Sequence, residues 1–263
     1  MDLRLSTVDL RLSITKGAKM SREKDWSVVK YHNDFAMRPW GELTAFQQDI
    51  LACLLVTLRE RNVTEIHLSV EKLETLMQRR IKRDRISEQI KRMNGVITSI
   101  KAEYEDEHIE GELVVFPGVW REKETGDVVV DVHPKYLRYF NNLSANYLKW
   151  DLSEHIALPT VYSKTLYRYL SSFGTKGWWY VSVDELRERM LVPDKYDTRR
   201  MMDNVIMPAV NTLRETLPDK FADLKVERIK KGSRIIAFKF TFTPLAEDAK
   251  MLTTFDDIED EPW

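Results

Sequence analysis

Apolar residues recur along this chain with helical spacing and then with strand spacing, and the cycle runs through twice. Between Thr44 and Glu60, the residues Phe46, Ile50, Leu51, Leu54, Leu55 and Leu58 fall on one stripe at i, i+3, i+4 spacing, which predicts an amphipathic helix. Glu65 to Leu68 reads as a short strand. Ser69 then caps a second helix reaching about Arg79. A third helix, about Arg83 to Ala102, is predicted from the stripe Ile86, Ile90, Met93, Ile97 and Ile100. Strands over Glu112 to Arg121 and Asp127 to Val132 flank the turn Lys123-Glu124-Thr125-Gly126, a hairpin signal.

A helix-plus-linker region rich in Asn and Tyr follows, from His133 to Trp150, and Pro159 marks a joint. The order then returns. Val161 to Phe173 reads as a helix, Gly174 to Gly177 as a turn and Trp178 to Val181 as an aromatic strand. Ser182 with Glu185 has the spacing of a capping box. The helix predicted over Thr198 to Thr216 contains Pro208, which should kink it. Strands over Leu224 to Ile229 and Arg234 to Thr243 flank Lys230-Lys231-Gly232-Ser233.

The two cycles share residues as well as order. Ser69, Val70, Glu71, Leu73 and Met77 recur as Ser182, Val183, Asp184, Leu186 and Met190, each 113 positions on. Helix, helix, recognition helix and two-stranded wing is the winged-helix order of the helix-turn-helix class. The expected fold is therefore α+β, with tandem winged-helix domains related by a pseudo-repeat. An extension over residues 1–25, a first domain over 26–150, a second over 151–245 and an acidic tail over 246–263 complete the expected organisation. The extension repeats Asp-Leu-Arg-Leu-Ser and alternates apolar and polar residues, as a strand or a disordered arm would. The tail is expected to be disordered.

Composition changes this picture in one respect. The chain has 263 residues, 43% of them apolar and 32% charged, and a net charge of −1. That near-neutral balance hides an asymmetry. From Ala246 onward seven acids face only Lys250, whereas the rest of the chain holds 40 basic residues against 35 acidic ones. A basic body with an acidic tail suits a DNA binder. The single cysteine, Cys53, excludes an intrachain disulfide, is expected to be buried, and with the absence of a signal-peptide pattern suggests a cytoplasmic protein. No apolar run approaches the ~20 residues of a membrane span, so no membrane partner is expected.

Two basic helix–wing units carry the candidate contacts. On the second recognition helix, Met202, Val205, Ile206, Ala209 and Leu213 form the apolar stripe. Arg200, Asn204, Met207, Asn211 and Arg214 recur on the opposite side. Arg can grip guanine O6 and N7 together, and Asn can grip adenine N6 and N7. Lys195 and Arg199 lie at or ahead of the same helix start, and Lys230, Lys231 and Arg234 at the wing suit phosphates. In the first unit, Arg79, Arg80, Lys82, Arg83, Arg85, Lys91 and Arg92 outnumber Asp84 and Glu88, and Arg85, Gln89 and Arg92 share one helical face. The plain alternative for each set is a solvated polar face.

Catalytic patterns are missing. The sequence has no G-x-x-x-x-G-K-[ST] loop, no Gly-x-Ser-x-Gly, no His-x-His pair, and five scattered histidines without zinc-ligand spacing. A binding protein is expected rather than an enzyme, with no cofactor and no metal.

Four stretches together resemble the plasmid replication initiator family with two winged helices: Leu166-Tyr167-Arg168-Tyr169-Leu170, Val181 to Leu186, Val205 to Val210, and Lys230 to Ser233 before a Phe-rich strand. Val28 to Asp34 is similar to that family's first-module start, so the likeness spans about residues 28 to 243. Asn211-Thr212-Leu213 departs from the family pattern of an acid, Ile and Asn. The resemblance implies binding of tandem repeats (iterons) in duplex DNA at a plasmid origin, opening of adjacent AT-rich DNA, and recruitment of the host initiator and replicative helicase. It also implies a homodimer that represses its own gene and a monomer that initiates. By the same likeness the first domain carries dimerisation and DNA contact, and the second most of the sequence reading, through Arg199, Arg200, Asn204, Lys230, Lys231 and Arg234. The other readings are a winged-helix transcriptional regulator without a replication role and, disfavoured by the missing constellations, a nicking enzyme. The acidic end, Phe255 to Trp263, is similar to the tail peptide with which bacterial single-stranded-DNA-binding proteins recruit replication enzymes; a solubilising tail is the plainer reading.

Overall fold

A computed structural model describes residues 27–36, 39–59, 61–105, 108, 110–143 and 147–245. The expectations for residues 1–25 and for the acidic tail fall outside these. The first unit begins with strand β1 (Val28–His32), a short helix α1 (Asn33–Ala36) and helix α2 (Ala45–Leu58). Strand β2 (Glu65–Leu68), helix α3 (Val70–Met77) and helix α4 (Arg83–Ile97) follow. A hairpin of β3 (Lys101–Glu105) and β4 (Glu110–Val114) precedes the wing strands β5 (Gly118–Arg121) and β6 (Val128–Asp131). A 3-10 turn over Pro134–Tyr139 leads into β7 (Tyr147–Asp151), which pairs antiparallel with β1.

The short helix α5 (Leu152–Ala157) precedes the second winged helix, which is built from α6 (Val161–Ser172), β8 (Trp178–Ser182) and α7 (Val183–Arg189). Its recognition helix runs as α8 (Thr198–Met201), a π-helical stretch over Met202–Ile206, and α9 (Met207–Thr216). Short α10 (Pro218–Phe221) leads to wing strands β9 (Lys225–Lys231) and β10 (Arg234–Thr241). The two wing sheets have matching orders, β2-β6-β5 and β8-β10-β9. This is a tandem winged-helix protein of the α+β class.

The repeated serines do the same work in both units. Ser69 accepts a hydrogen bond from the Lys72 amide, and Ser182 one from the Glu185 amide, each satisfying an amide the first helical turn leaves unpaired. The reciprocal half of the expected box is absent at Ser182, because the Glu185 carboxylate accepts from Arg189 one turn on. Full capping boxes form instead at Thr44 with Gln47 and at Thr160 with Ser163.

The helix-plus-linker region expected over His133 to Trp150 is a 3-10 turn followed by strand β7. Three further predicted elements come out differently, each for a local reason. Helix α4 stops at Ile97, short of Ala102, because the Thr98 and Ser99 hydroxyls bond back to the carbonyls of Asn94 and Val96. Ile100 stays buried, which is why it continued the apolar stripe. The strand expected over Glu112 to Arg121 is two strands in two sheets, parted by Pro117, which has no amide to donate to a ladder. The proline expected to kink the second recognition helix is accommodated by the π-helical stretch: the Met207 amide reaches five residues back to the Met202 carbonyl. Widening the helix one turn ahead of Pro208 relieves the clash between the ring and the preceding turn.

Helix α2 was expected to bury one stripe. It is buried almost all round, from Gln47 to Leu58, because both units pack against it. Cys53 is fully buried there, and that burial pushes its thiol pKa up. One continuous core runs from Val29 and Tyr31 through α2 to Phe240 and Phe242.

Candidate nucleic-acid interface

The second recognition helix starts at Asp197, whose carboxylate accepts from the Arg200 amide at 2.7 Å and fixes the first turn. Met201, Met202, Val205, Ile206, Ala209, Val210 and Leu213 are buried, which turns Arg199, Arg200, Asn204 and Asn211 outward. Arg199 is 90% exposed and lies a loose 3.8 Å from Asp203. Among the described residues, the side chains of Arg200 and Asn204 have no partner. Lys195 is exposed in the loop just ahead.

Arg214 is the exception on this helix. It is half-buried, and its Nε and Nη2 donate to the carbonyl of Leu224 while Nη1 donates to Asn211 Oδ1 at 3.4 Å. It braces the helix end against the start of the wing, and it leaves the set of base-reading side chains. The geometry also engages the Asn211 amide oxygen.

The wing turns in two residues, Gly232 and Ser233, with Gly232 at φ +63°, a conformation open to glycine at little steric cost. Lys231 faces Arg234 directly across the strands. Like charges opposed in a cross-strand pair repel unless a polyanion lies between or over them. Lys230, Lys231 and Arg234 are all exposed. Arg228 joins them: it is exposed on β9, and its pairing with Phe238 puts it on the strand face turned toward the helices. The period-two pattern Val226, Arg228, Lys230 was the signal for it, and reading the wing only at its tip missed it.

The first unit differs. The buried residues Ile86, Ile90, Met93 and Ile97 follow the predicted stripe of α4. Its basic residues, however, are partly occupied. Arg79 donates to the buried Asp49 carboxylate at 2.7 Å, and Arg92 pairs with Glu88 at 2.7 Å. Arg85 lies over the Phe46 ring at 4.6 Å. Gln89 is half-buried, and its backbone carbonyl accepts from the Gln47 side chain. Arg80 is 96% exposed, with a 3.3 Å contact to Glu74, and Lys82 is exposed at the N-cap. Arg83 opens the helix.

The first wing corrects the expectation of two basic helix–wing units. Its tip holds Glu122, Glu124 and Asp127 against Lys123, and Thr125 ties it down through hydrogen bonds to Glu122 and the Asp127 amide. A wing with this charge repels phosphates rather than seating on them.

Between the units lies a buried polar seam that the sequence reading did not identify. Asp49 on α2 accepts from Arg79 at one oxygen and from Lys164 on α6 at the other, at 2.7 and 2.6 Å. His155, fully buried, sits 3.6 Å from Asp49, beyond hydrogen-bond reach, and among the described residues both its ring nitrogens lack a hydrogen-bond partner. Burial holds its pKa down to about 4, partly opposed by Asp49. Arg168, one turn beyond Lys164, packs its guanidinium 3.8 Å from the centre of the Trp40 ring. The available signal was two cations, Lys164 and Arg168, at i and i+4 among the apolar positions of α6.

Among the described residues no group of His, Cys, Asp and Glu is placed to hold a metal ion, and no helix is long and apolar enough to cross a membrane. Two recognition helices that both carry exposed cations, with further exposed cations on the second wing, define a tandem winged-helix protein of the DNA-binding class. The chain belongs to the replication initiator family. The family described as "Initiator Replication protein, WH1" matches residues 28–171, and "Initiator Rep protein, WH2" matches residues 182–242. A "Probable replication protein rep" of Bifidobacterium longum (strain NCC 2705) is 23% identical over 242 residues, covering 90% of this chain and 80% of that protein. Among solved structures, the Pi initiator protein in complex with iteron DNA is similar at a TM-score of 0.64 with 15% identity, over 84% of this chain and 98% of that one.

Proposed function

We propose that this initiator binds tandemly repeated duplex sites at a plasmid origin. The second winged helix reads bases, and the first grips mainly the backbone. The observation that carries this reading is the second unit's surface. Arg200 and Asn204 stand exposed on the recognition helix, and Lys231 and Arg234 face each other on the wing. The solved Pi initiator complex, which holds iteron DNA in the same fold, supports it. Both recognition helices enter successive major grooves, about 10–10.5 base pairs apart. The contact set is Arg80, Lys82, Arg83 and Arg85 in the first unit, and Lys195, Arg199, Arg200, Asn204, Arg228, Lys230, Lys231 and Arg234 in the second.

The family likeness extends the proposal to opening of adjacent AT-rich DNA, recruitment of host initiator and replicative helicase, and a homodimer that represses its own gene. The protein acts by binding, without chemistry of its own. A DNase footprint on the DNA flanking its gene tests this. Regularly spaced protections of about two turns each are expected. One symmetric footprint over a promoter would overturn the origin reading in favour of a regulator.

A further inference from the structure

We infer that the buried Asp49–Lys164 ion pair, with Arg79, fixes the spacing between the two DNA-contacting helices, so that base-pair spacing within a site is part of this protein's specificity. The inference rests on the duplex-binding reading above. Asp49 is 3% exposed and Lys164 1%. Each carboxylate oxygen of Asp49 is committed to a different element. Oδ2 takes Arg79, which lies between α3 and α4 at the foot of the first recognition helix. Oδ1 takes Lys164 on α6, which in turn packs along α9 of the second recognition helix. Lys164 is held from a third side by the His155 carbonyl at 2.5 Å.

Apolar surfaces tolerate small slides, because dispersion and burial have no preferred direction. A buried carboxylate with both oxygens engaged has a narrow range of geometries, and sliding either unit would strand a charge away from water. Arg168 adds a second fixed cation in the same seam, seated on Trp40. The route from α4 through Arg79, Asp49, Lys164 and α6 to α9 is therefore a directional strut between the two helices. One inserted base pair moves the second groove by about 3.4 Å and turns it by about 34°. A rigid strut cannot follow that change.

The test uses full-length protein and synthetic duplexes of its footprinted site, unmodified or with one or two base pairs inserted at the centre. The variants are Lys164→Met and the double change Lys164→Met with Asp49→Asn, which removes both buried members of the pair together if the single variant does not fold, while Arg79, 43% exposed, can turn to solvent. Wild type is expected to lose at least 30-fold in affinity per inserted base pair, and the variants less than threefold relative to their own unmodified site. A second readout needs no DNA. Spin labels at Lys91→Cys on α4 and Glu215→Cys on α9, with buried Cys53 left in place, should give one narrow distance distribution in wild type and a broadened one in the variants. Variants with the wild-type penalty and the wild-type distribution overturn the strut. A wild type indifferent to insertion overturns the two-groove reading instead, and the label distances then judge the strut alone.

Discussion

The two winged helices share topology, a serine cap and a 113-residue repeat, yet they present different surfaces to a polyanion. In the second unit the recognition helix leaves Arg200 and Asn204 exposed, with no side-chain partner among the described residues, and the wing opposes Lys231 to Arg234. In the first unit Arg79 and Arg92 are already paired with Asp49 and Glu88, and the wing tip holds three acids. The scaffold fixes where a helix and a wing stand. The charges placed on them decide whether they read, grip or repel. The two units agree in the first and differ in the second.

The sharpest way to break this comparison is to neutralise one wing at a time. Each phosphate contact contributes about 0.9 to the salt slope, hence roughly 0.7 log unit of affinity at 0.15 M salt. Replacing Lys230, Lys231 and Arg234 together by Ala should therefore weaken binding about 10²-fold on specific and random duplexes alike, and flatten the slope by two to three. Lys123→Ala in the first wing should leave the slope unchanged. Equal slope changes from the two wings, measured by fluorescence anisotropy across a salt series, would refute the asymmetry.

The recognition helices give a second contrast. Arg200→Ala should cost about 1–3 kcal/mol on the cognate site and relax discrimination at one or two positions. Arg92→Ala should cost less, because its guanidinium must first leave Glu88. Selection of bound sequences from a randomised duplex pool decides between them. A wider specificity loss at Arg92 than at Arg200 would reverse the assignment of reader and gripper.

Much of this was legible in the sequence because helix stripes and turn residues are local. The serine caps, the apolar stripe of α4 and the Gly232 turn follow from spacing alone. What was not legible depends on contacts far apart in the chain. Arg79 looked like a phosphate ligand because Asp49, thirty positions earlier, gave no sign of standing beside it. Arg214 fitted the polar face of its helix, and only the return of the chain at Leu224 gave it a carbonyl to hold. Helix α2 read as one-sided because its second partner, α6, lies over a hundred residues on. The charge of the first wing was readable, but the pseudo-repeat invited the assumption that both wings act alike.

The halves can be compared as parts of one body only while the seam between them holds, and acid should loosen it. His155 titrates near 4 in the fold, from an ordinary value of 6.5, because burial disfavours its charged form; Lys164 and Arg168 oppose protonation and Asp49 favours it. As pH falls below 6.5 the unfolded chain takes a proton that the folded chain refuses. The stabilising effect is therefore full above about pH 6.5 and is lost as pH falls toward 4. Between pH 7.5 and 5 this single group should remove about 2 kcal/mol. His155→Leu, which keeps the volume and removes the titration, should flatten that part of the stability curve in urea titrations; an unchanged curve would place the proton uptake elsewhere.

The smallest expected effect is the most discriminating for the second unit. Arg214 lies on the same polar face as Arg200 and Asn204, and spacing alone cannot separate a reader from a brace. Its Nε and Nη2 both hold the Leu224 carbonyl, so Arg214→Ala should lower stability by about 1.5 kcal/mol, at the low end for a charge-assisted hydrogen bond because the group is half-exposed. Binding at a temperature where the variant stays folded should fall little, and by the same factor on every sequence. Arg214→Lys should not restore the stability, since an ammonium cannot reproduce two donors in the plane of a fork. A variant of unchanged melting temperature with altered base preference would put Arg214 back among the readers, and the polar face of this helix would then be read over its full length rather than only through its first turns.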